Sequence, residues 1–206
     1  MDNTAGGGVS NIPNCNYTAD MSILIAGLAL FLGLHLIPAF PALRKVVAED
    51  LLGLKLYQPL FALGSALGLV LIIAGWWLRP ERVQLFDPFP AARAAAPLLV
   101  TLAFVLFASA NMKTHIRKVV RHPMLIGLVL WSGAHLFANG DLAGTILFGS
   151  FFAYSIVDLI SAIARGAVKP FEPMWKYDGM AIVGGLLLAV ITIYFHPAIF
   201  GTGRVM

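Results

Sequence analysis

Six apolar runs alternate with short polar or basic stretches along the chain, over residues 21–40, 57–78, 94–112, 123–138, 142–164 and 179–199. A membrane-spanning helix needs about 20 mostly apolar residues, and each run meets or approaches that length, the fourth being the shortest. The runs do not alternate apolar and polar positions, which argues against a membrane barrel. No window repeats at a solenoid period. The pattern therefore predicts an all-α, polytopic membrane bundle of about six transmembrane helices. Asn139-Gly140-Asp141 separates the fourth and fifth runs and predicts a tight helical hairpin. Residues 1–20 are polar, rich in Gly and Asn, and free of Lys and Arg. A secretory signal needs basic residues before its apolar core, so this stretch reads as a disordered N-terminal tail ahead of a transmembrane domain over 21–206. Met21 opens the first run and is an alternative translation start.

Composition narrows the class. Of 206 residues, 12% are charged and 59% are hydrophobic. An average soluble domain is about 25% charged. The mean hydropathy is +0.85. These values exclude soluble, disordered, nucleic-acid-binding and disulfide-rich classes. The sequence pI of 9.4 rests on a net charge of only +4. The single cysteine, Cys15, permits no intrachain disulfide, CxxC zinc pair or CxxCH haem attachment. Basic residues cluster in alternate loops. Segments 41–56, 113–122 and 165–178 hold Arg44, Lys45, Lys55, Lys113, Arg117, Lys118, Arg121, Arg165, Lys169 and Lys176. The opposite side holds Arg79, Arg82, Arg93 and Arg204. Cytoplasmic loops carry the excess of Lys and Arg, so both termini are predicted outside.

Few polar side chains fall inside the runs. His35 lies toward the inner end of the first, His135 on the fourth, Asp158 on the fifth and His196 near the outer end of the sixth. His115 belongs to a basic loop. On the fourth run Pro123, Gly127, Trp131, His135 and Asn139 recur every four residues and share one stripe. Gly127 admits a neighbour, Trp131 offers a flat apolar wall and His135 a nitrogen ligand. His122 opens the same run, about 20 Å and about 140° away from His135, so the two cannot bind one metal. Any axial partner of His135 must come from another helix, and His35 is the other histidine well inside a span. His196, before Pro197, is expected to sit at the interface out of reach. By segment midpoints His35 lies about 7 Å to the inner side and His135 about 7 Å to the outer side. His35 with His122 fits those depths better, so His122 stands as an alternative ligand. Interhelical hydrogen bonding accounts for membrane histidines equally simply. Asp158 costs about 2.5–3.5 kcal/mol to insert and so calls for a partner or a task. It shares a stripe with Tyr154, Ser161 and Arg165. Either it pairs with Arg165 or it orients the His35 imidazole from behind. Gly64-x3-Gly68, Gly140-x3-Gly144 and Gly184-Gly185 permit close helix packing.

From Met21 onward the chain resembles the NnrU family of bacterial inner-membrane proteins. The residues that carry the likeness are Gly27-Leu28-Ala29-Leu30-Phe31, Gly33-Leu34-His35-Leu36-Ile37-Pro38, Arg121-His122-Pro123, Gly127, Trp131, His135-Leu136 and Asn139-Gly140-Asp141. The resemblance implies a bacterial inner-membrane location and a link to denitrification and nitric oxide metabolism. The family is similar in turn to 15-cis-zeta-carotene isomerase, an integral membrane haem b enzyme with two histidine ligands. By that similarity His35 and His135 would be the ligands, with Trp131 against the macrocycle. Arg121, Arg117 or Lys118 would meet the propionates. Ser132 stands where the isomerase has a cysteine implicated in ligand switching, a departure that bears on isomerase chemistry and leaves haem binding open.

Four functions follow as expectations. The leading one is a haem b-binding membrane protein of nitrogen-oxide metabolism. The second is a haem-dependent cis-trans isomerase of a lipid-soluble polyene, which would make a hydrophobic small molecule the substrate. The third is a membrane methyltransferase, suggested by Arg-His-Pro-x4 but opposed by a 165–178 segment whose one acidic residue before Asp178 is Glu172. The fourth is a haem-free structural or assembly factor that uses its histidines for packing. The expected partner is the lipid bilayer, with no nucleic acid.

Overall fold

The computed structural model describes residues 17–79, 83–168 and 170–200. The apolar runs fold as helices: α1 Tyr17–Ala39, α2 Pro41–Arg44, α3 Leu54–Leu78, α4 Pro90–Ser109, α5 His115–Val120, α6 Pro123–Asn139, α7 Leu142–Ala164 and α8 Trp175–Phe200. Five of them, α1, α3, α4, α7 and α8, are long and apolar enough to cross a membrane, and α6 is shorter. The chain is thus an all-α, multi-pass membrane protein. α1 opens at Tyr17, so the last four residues read as tail enter a helix. Residues 1–16 lie outside the described residues, as do Arg82, Lys169 and Arg204. Residues 41–51, expected as loop, are helical: α2 leads into a π-helical turn over Lys45–Leu51.

Local chemistry sets the boundaries. Pro41, Pro90 and Pro123 occupy the first turns of their helices, where a missing N–H costs nothing. Gly140 ends α6 with φ 73°, a left-handed conformation suited to glycine. Asp141 then caps α7 by accepting from Gly144 N at 2.9 Å. Those two residues make the predicted hairpin.

Across the bundle the neighbours run α3, α1, α7, α6, α4, α8. In lipid no hydrophobic force drives helices together, so close backbone approach through small residues carries the packing. α3 lies antiparallel on α1 with Gly68 against Phe31, where an added Cβ would stand 2.9 Å from the Phe31 backbone nitrogen, and with Gly75 against Leu24. On the other side α4 receives Gly127 of α6 against Phe107 and Gly185 of α8 against Val105. Leu24, Leu28, Leu32, Ile72, Trp76, Leu147 and Phe148 form the buried core. Leu63, Val70, Ile160 and Val190 are among the many large apolar side chains left exposed, as a lipid-facing surface requires.

The loops gather at two ends. At one, Leu85 N bonds Gly140 O at 2.9 Å, Leu142 N bonds Val83 O at 2.9 Å, and Phe89 N bonds Phe137 O at 3.2 Å. Arg79 reaches Phe200 O at the same end. At the other, Met174 N bonds Lys113 O at 2.9 Å, and Arg165 donates to Pro38 O at 3.3 Å. The three basic segments grouped by charge therefore share an end, opposite the 139–141 turn.

Candidate functional site

Two membrane histidines use the same local device. Phe31-x3-His35 and Trp131-x3-His135 each put an aromatic residue one turn before the imidazole, on the same helix face. His35 Nδ1 lies 2.7 Å from Phe31 O, and His135 Nδ1 lies 2.8 Å from Trp131 O. A carbonyl only accepts, so each Nδ1 must carry the proton and each Nε2 the lone pair. A backbone carbonyl holding the second nitrogen is the usual way to fix a ligating histidine's tautomer and orientation.

Their surroundings differ. His35 stacks on Phe31 at 4.2 Å and 25°, with Phe61 at 5.1 Å and the edge of Tyr154 at 6.4 Å. Tyr154 donates to Asp158 Oδ2 at 3.2 Å, and Asp158 Oδ1 faces Arg165 at 3.5 Å. Arg165 also donates to Ser161 O and Pro38 O. The carboxylate is thus matched by Arg165, the simpler of its two expected partners, and it reaches His35 through the Tyr154 ring. His135 instead stacks on Phe148 at 4.6 Å and 24°, with Trp131 at 5.2 Å.

The third neighbour of His135 is His196, with ring centroids 6.2 Å apart and planes 29° apart. The expectation that His196 lies out of reach is therefore corrected. α8 leans on α4 through Gly185 and Ala189, and His196 follows on the same stripe at the helix end. The spacing Asp178, Ala181, Gly185, Ala189, Thr192, His196 marks that stripe in the sequence but not the helix that it faces. Around this pair lie Phe200 against His196 at 4.9 Å, Trp76 against Phe148 at 6.2 Å, and the Arg79 guanidinium 3.9 Å over the Trp76 ring.

The other predicted residues fall elsewhere. Phe31, Phe151, Trp131 and Phe148 make a continuous file of rings between His35 and His135, with steps of 5.9, 5.7 and 5.1 Å. Trp131 is central to that file. Ring contact joins neither His35 to His135 nor His122 to either, among the described residues. His122 stands at the N-terminal boundary of α6 without a side-chain capping bond, and Arg121 precedes it with φ 61°. Fourteen residues of chain put Arg121 about 20 Å along the axis from His135. Arg117 packs on Phe171 at that same end, opposite the 139–141 turn. At the His135 end of the bundle Arg79 lies over Trp76 and Arg93 donates to Ala138 O at 3.3 Å, two cations that the propionate expectation did not include. Ser132 is fully buried and turns its hydroxyl back to Leu128 O at 2.5 Å.

His115, read as a loop residue, is held more firmly. Its Nδ1 lies 2.7 Å from Asp178 Oδ2, its ring stacks on Trp175 at 3.9 Å, and Asp178 also accepts from Ile116 N at 3.2 Å. Among the described residues no three His, Cys, Asp or Glu side chains converge on a metal position. An open, mostly apolar groove of about 370 Å³ runs between α1 and α7, lined by Ile25, Leu28, Leu32, Leu36, Ile146 and Ser150. No curated protein and no solved structure matches the chain. The aromatic-x3-His helices and the Asn139-Gly140-Asp141 hairpin lie within residues 23–203, which match the NnrU protein family, and the chain belongs to that family.

Proposed function

We propose that this protein binds haem b within a bacterial inner membrane and acts in denitrification and nitric oxide metabolism. The observation that carries the reading is the membrane imidazole of His135, whose Nδ1 is committed to its own helix and whose Nε2 is left to bind a metal; His35 is held by its helix in the same way but stands apart from it. The donor set fits the group. Three protein ligands for a bare ion do not converge among the described residues. Haem brings most of its iron's donors with it, and a protein imidazole such as that of His135 would hold it. When bound, haem supplies a redox-active iron able to take a nitrogen oxide or pass an electron. The chain's own residues would hold and shield it: Trp131 and Phe148 offer apolar ring faces beside His135 that would exclude water. The carbonyls of Phe31 and Trp131 hold the imidazoles in one tautomer. The excess of basic residues in 41–56, 113–122 and 165–178 supports an orientation with both termini periplasmic.

The test is an absorption spectrum of the full chain, expressed with haem supply and purified in detergent. A Soret band with a stoichiometric pyridine haemochrome is expected. A colourless, folded protein refutes the reading and leaves the histidines to helix packing.

The α1–α7 groove favours a second reading, an isomerase acting on a lipid-soluble polyene. Its apolar lining on α1 runs from Ile25 to Leu36, next to His35. Incubating the haem-loaded protein with a cis-polyene and resolving the products by chromatography tests it. An unchanged isomer ratio against a haem-free control rejects it.

A further inference from the structure

We propose that His196, on the last turns of α8, is the axial partner of His135 across the haem iron, at the outer end of the bundle. The inference rests on the haem reading above and names the ligand pair of that same site. Two imidazoles bound on opposite sides of one metal at about 2 Å each have nitrogens about 4 Å apart and ring centroids about 6.3 Å apart. The rings of His135 and His196 stand 6.2 Å apart with planes inclined by 29°. One nitrogen of each ring suffices for ligation, and the His135 Nδ1 bond to Trp131 O reserves Nε2 for that role. His35 is separated from His135 by the rings of Phe31, Phe151 and Trp131.

The surroundings suit the rest of a haem. Phe148 and Phe200 lie against the two imidazoles and supply apolar surface. A haem also carries two carboxylates, which need donors and positive charge. The Trp76 indole nitrogen is buried beside Phe148 with no hydrogen-bond partner, a state that costs free energy until an acceptor arrives. Arg79 lies over the same indole and donates to Phe200 O, bringing the guanidinium to the same end of the bundle. α8 packs along its length on α4 and meets α6 through the His135–His196 ring pair. A group entering between α6 and α8 at that point would part the His135 and His196 rings.

The experiment uses the full chain, haem-loaded in detergent, with visible and electron paramagnetic resonance spectra and haem content as readouts. Wild type is expected to be low-spin with two imidazole ligands. His135→Ala and His196→Ala should each lose haem or become high-spin, and free imidazole should restore the low-spin spectrum of His196→Ala. His35→Ala should keep the wild-type spectrum. If His196→Ala fails to accumulate, His196→Met decides: a shift to a mixed imidazole-thioether spectrum supports the pairing. A low-spin bis-imidazole spectrum surviving in His196→Ala or His196→Met overturns it, as does loss of that spectrum in His35→Ala, and either result leaves the haem reading intact. Wild type without haem refutes the haem reading and the pairing with it.

Discussion

His35 and His135 begin from the same local sequence and end in different chemistry. Both follow an aromatic residue by four positions, and both donate Nδ1–H to that residue's carbonyl. Around His35 the bundle assembles Phe61, Tyr154 and, behind Tyr154, the Asp158–Arg165 pair. Around His135 it assembles Phe148, His196 and the Trp76–Arg79 pair. One environment is a hydrogen-bonded stripe at the end that collects the basic loops. The other is an imidazole pair at the end that collects the 139–141 turn. A short helical motif can therefore prepare a nitrogen donor, but which second donor stands opposite depends on helices far away in sequence.

The comparison is broken most decisively by orientation. Reporter fusions after residues 118 and 170 should report cytoplasm, and a fusion at 140 periplasm, an all-or-none result. A cytoplasmic signal at 140 would invert the assignment and put the His135 end inside.

Small-residue contacts should separate the two histidine environments. Gly185→Leu forces a side chain into the Val105 backbone, where a Cβ already meets Cα at 2.6 Å. It should push α8 from α4, cost about 3 kcal/mol or more, and alter the haem spectrum by moving His196. Gly68→Leu drives the same volume into Phe31 and should destabilise by a similar amount through the His35 side. Its remaining folded fraction should keep the wild-type spectrum. Thermal unfolding in detergent, followed at the Soret band, reads both. Equal spectral changes in the two variants would show that the environments act as one.

Asp158→Asn removes the charge facing Arg165 and weakens the acceptor of Tyr154. A loss of about 1 kcal/mol is expected, with the spectrum of the His135 end unchanged. A shifted haem midpoint potential in that variant would tie Asp158 to the iron after all. The smallest effect belongs to Ser132. Its hydroxyl bonds its own helix, so Ser132→Ala should cost about 0.5 kcal/mol or less. Ser132→Cys should leave the reduced spectrum as in wild type. A thiolate-type band on reduction would show that this position can reach the iron and would revive isomerase-like ligand switching.

Much of the architecture was readable from single residues. The apolar runs marked the spans because lipid offers no partner to backbone groups and only an uninterrupted helix satisfies them. Asn139-Gly140-Asp141 marked the hairpin because only a left-handed residue followed by a capping carboxylate turns one helix into the next so briefly. The distribution of Lys and Arg sorted the loops into two groups, and the same groups lie at opposite ends. The aromatic-x3-His pattern contained the Nδ1 bonds, since positions four apart share a helix face. The helical 41–51 segment escaped because apolar runs alone marked the helices, and Arg44, Lys45, Glu49 and Asp50 interrupt any run there, whereas Pro41 starts a new helix.

What stands against His135 was not readable in the same way. Its place before Pro197 near the end of the sixth run put His196 at the membrane interface, and it lies in the last turns of α8. Distance across the bundle depends on which helices are neighbours, and an apolar run says little about its neighbour because lipid and protein are equally apolar. The order α3, α1, α7, α6, α4, α8 was decided by shape, where Gly68, Gly75, Gly127 and Gly185 let particular backbones meet. That order brings the far end of α8 to His135 and Arg79 to Phe200, and it leaves Arg121 at the opposite end of α6. Local sequence determined the spans, the turn and the tautomer of each imidazole. Tertiary packing alone decided which side chains face one another, because close contact between helices in a membrane is set by steric fit over the whole bundle.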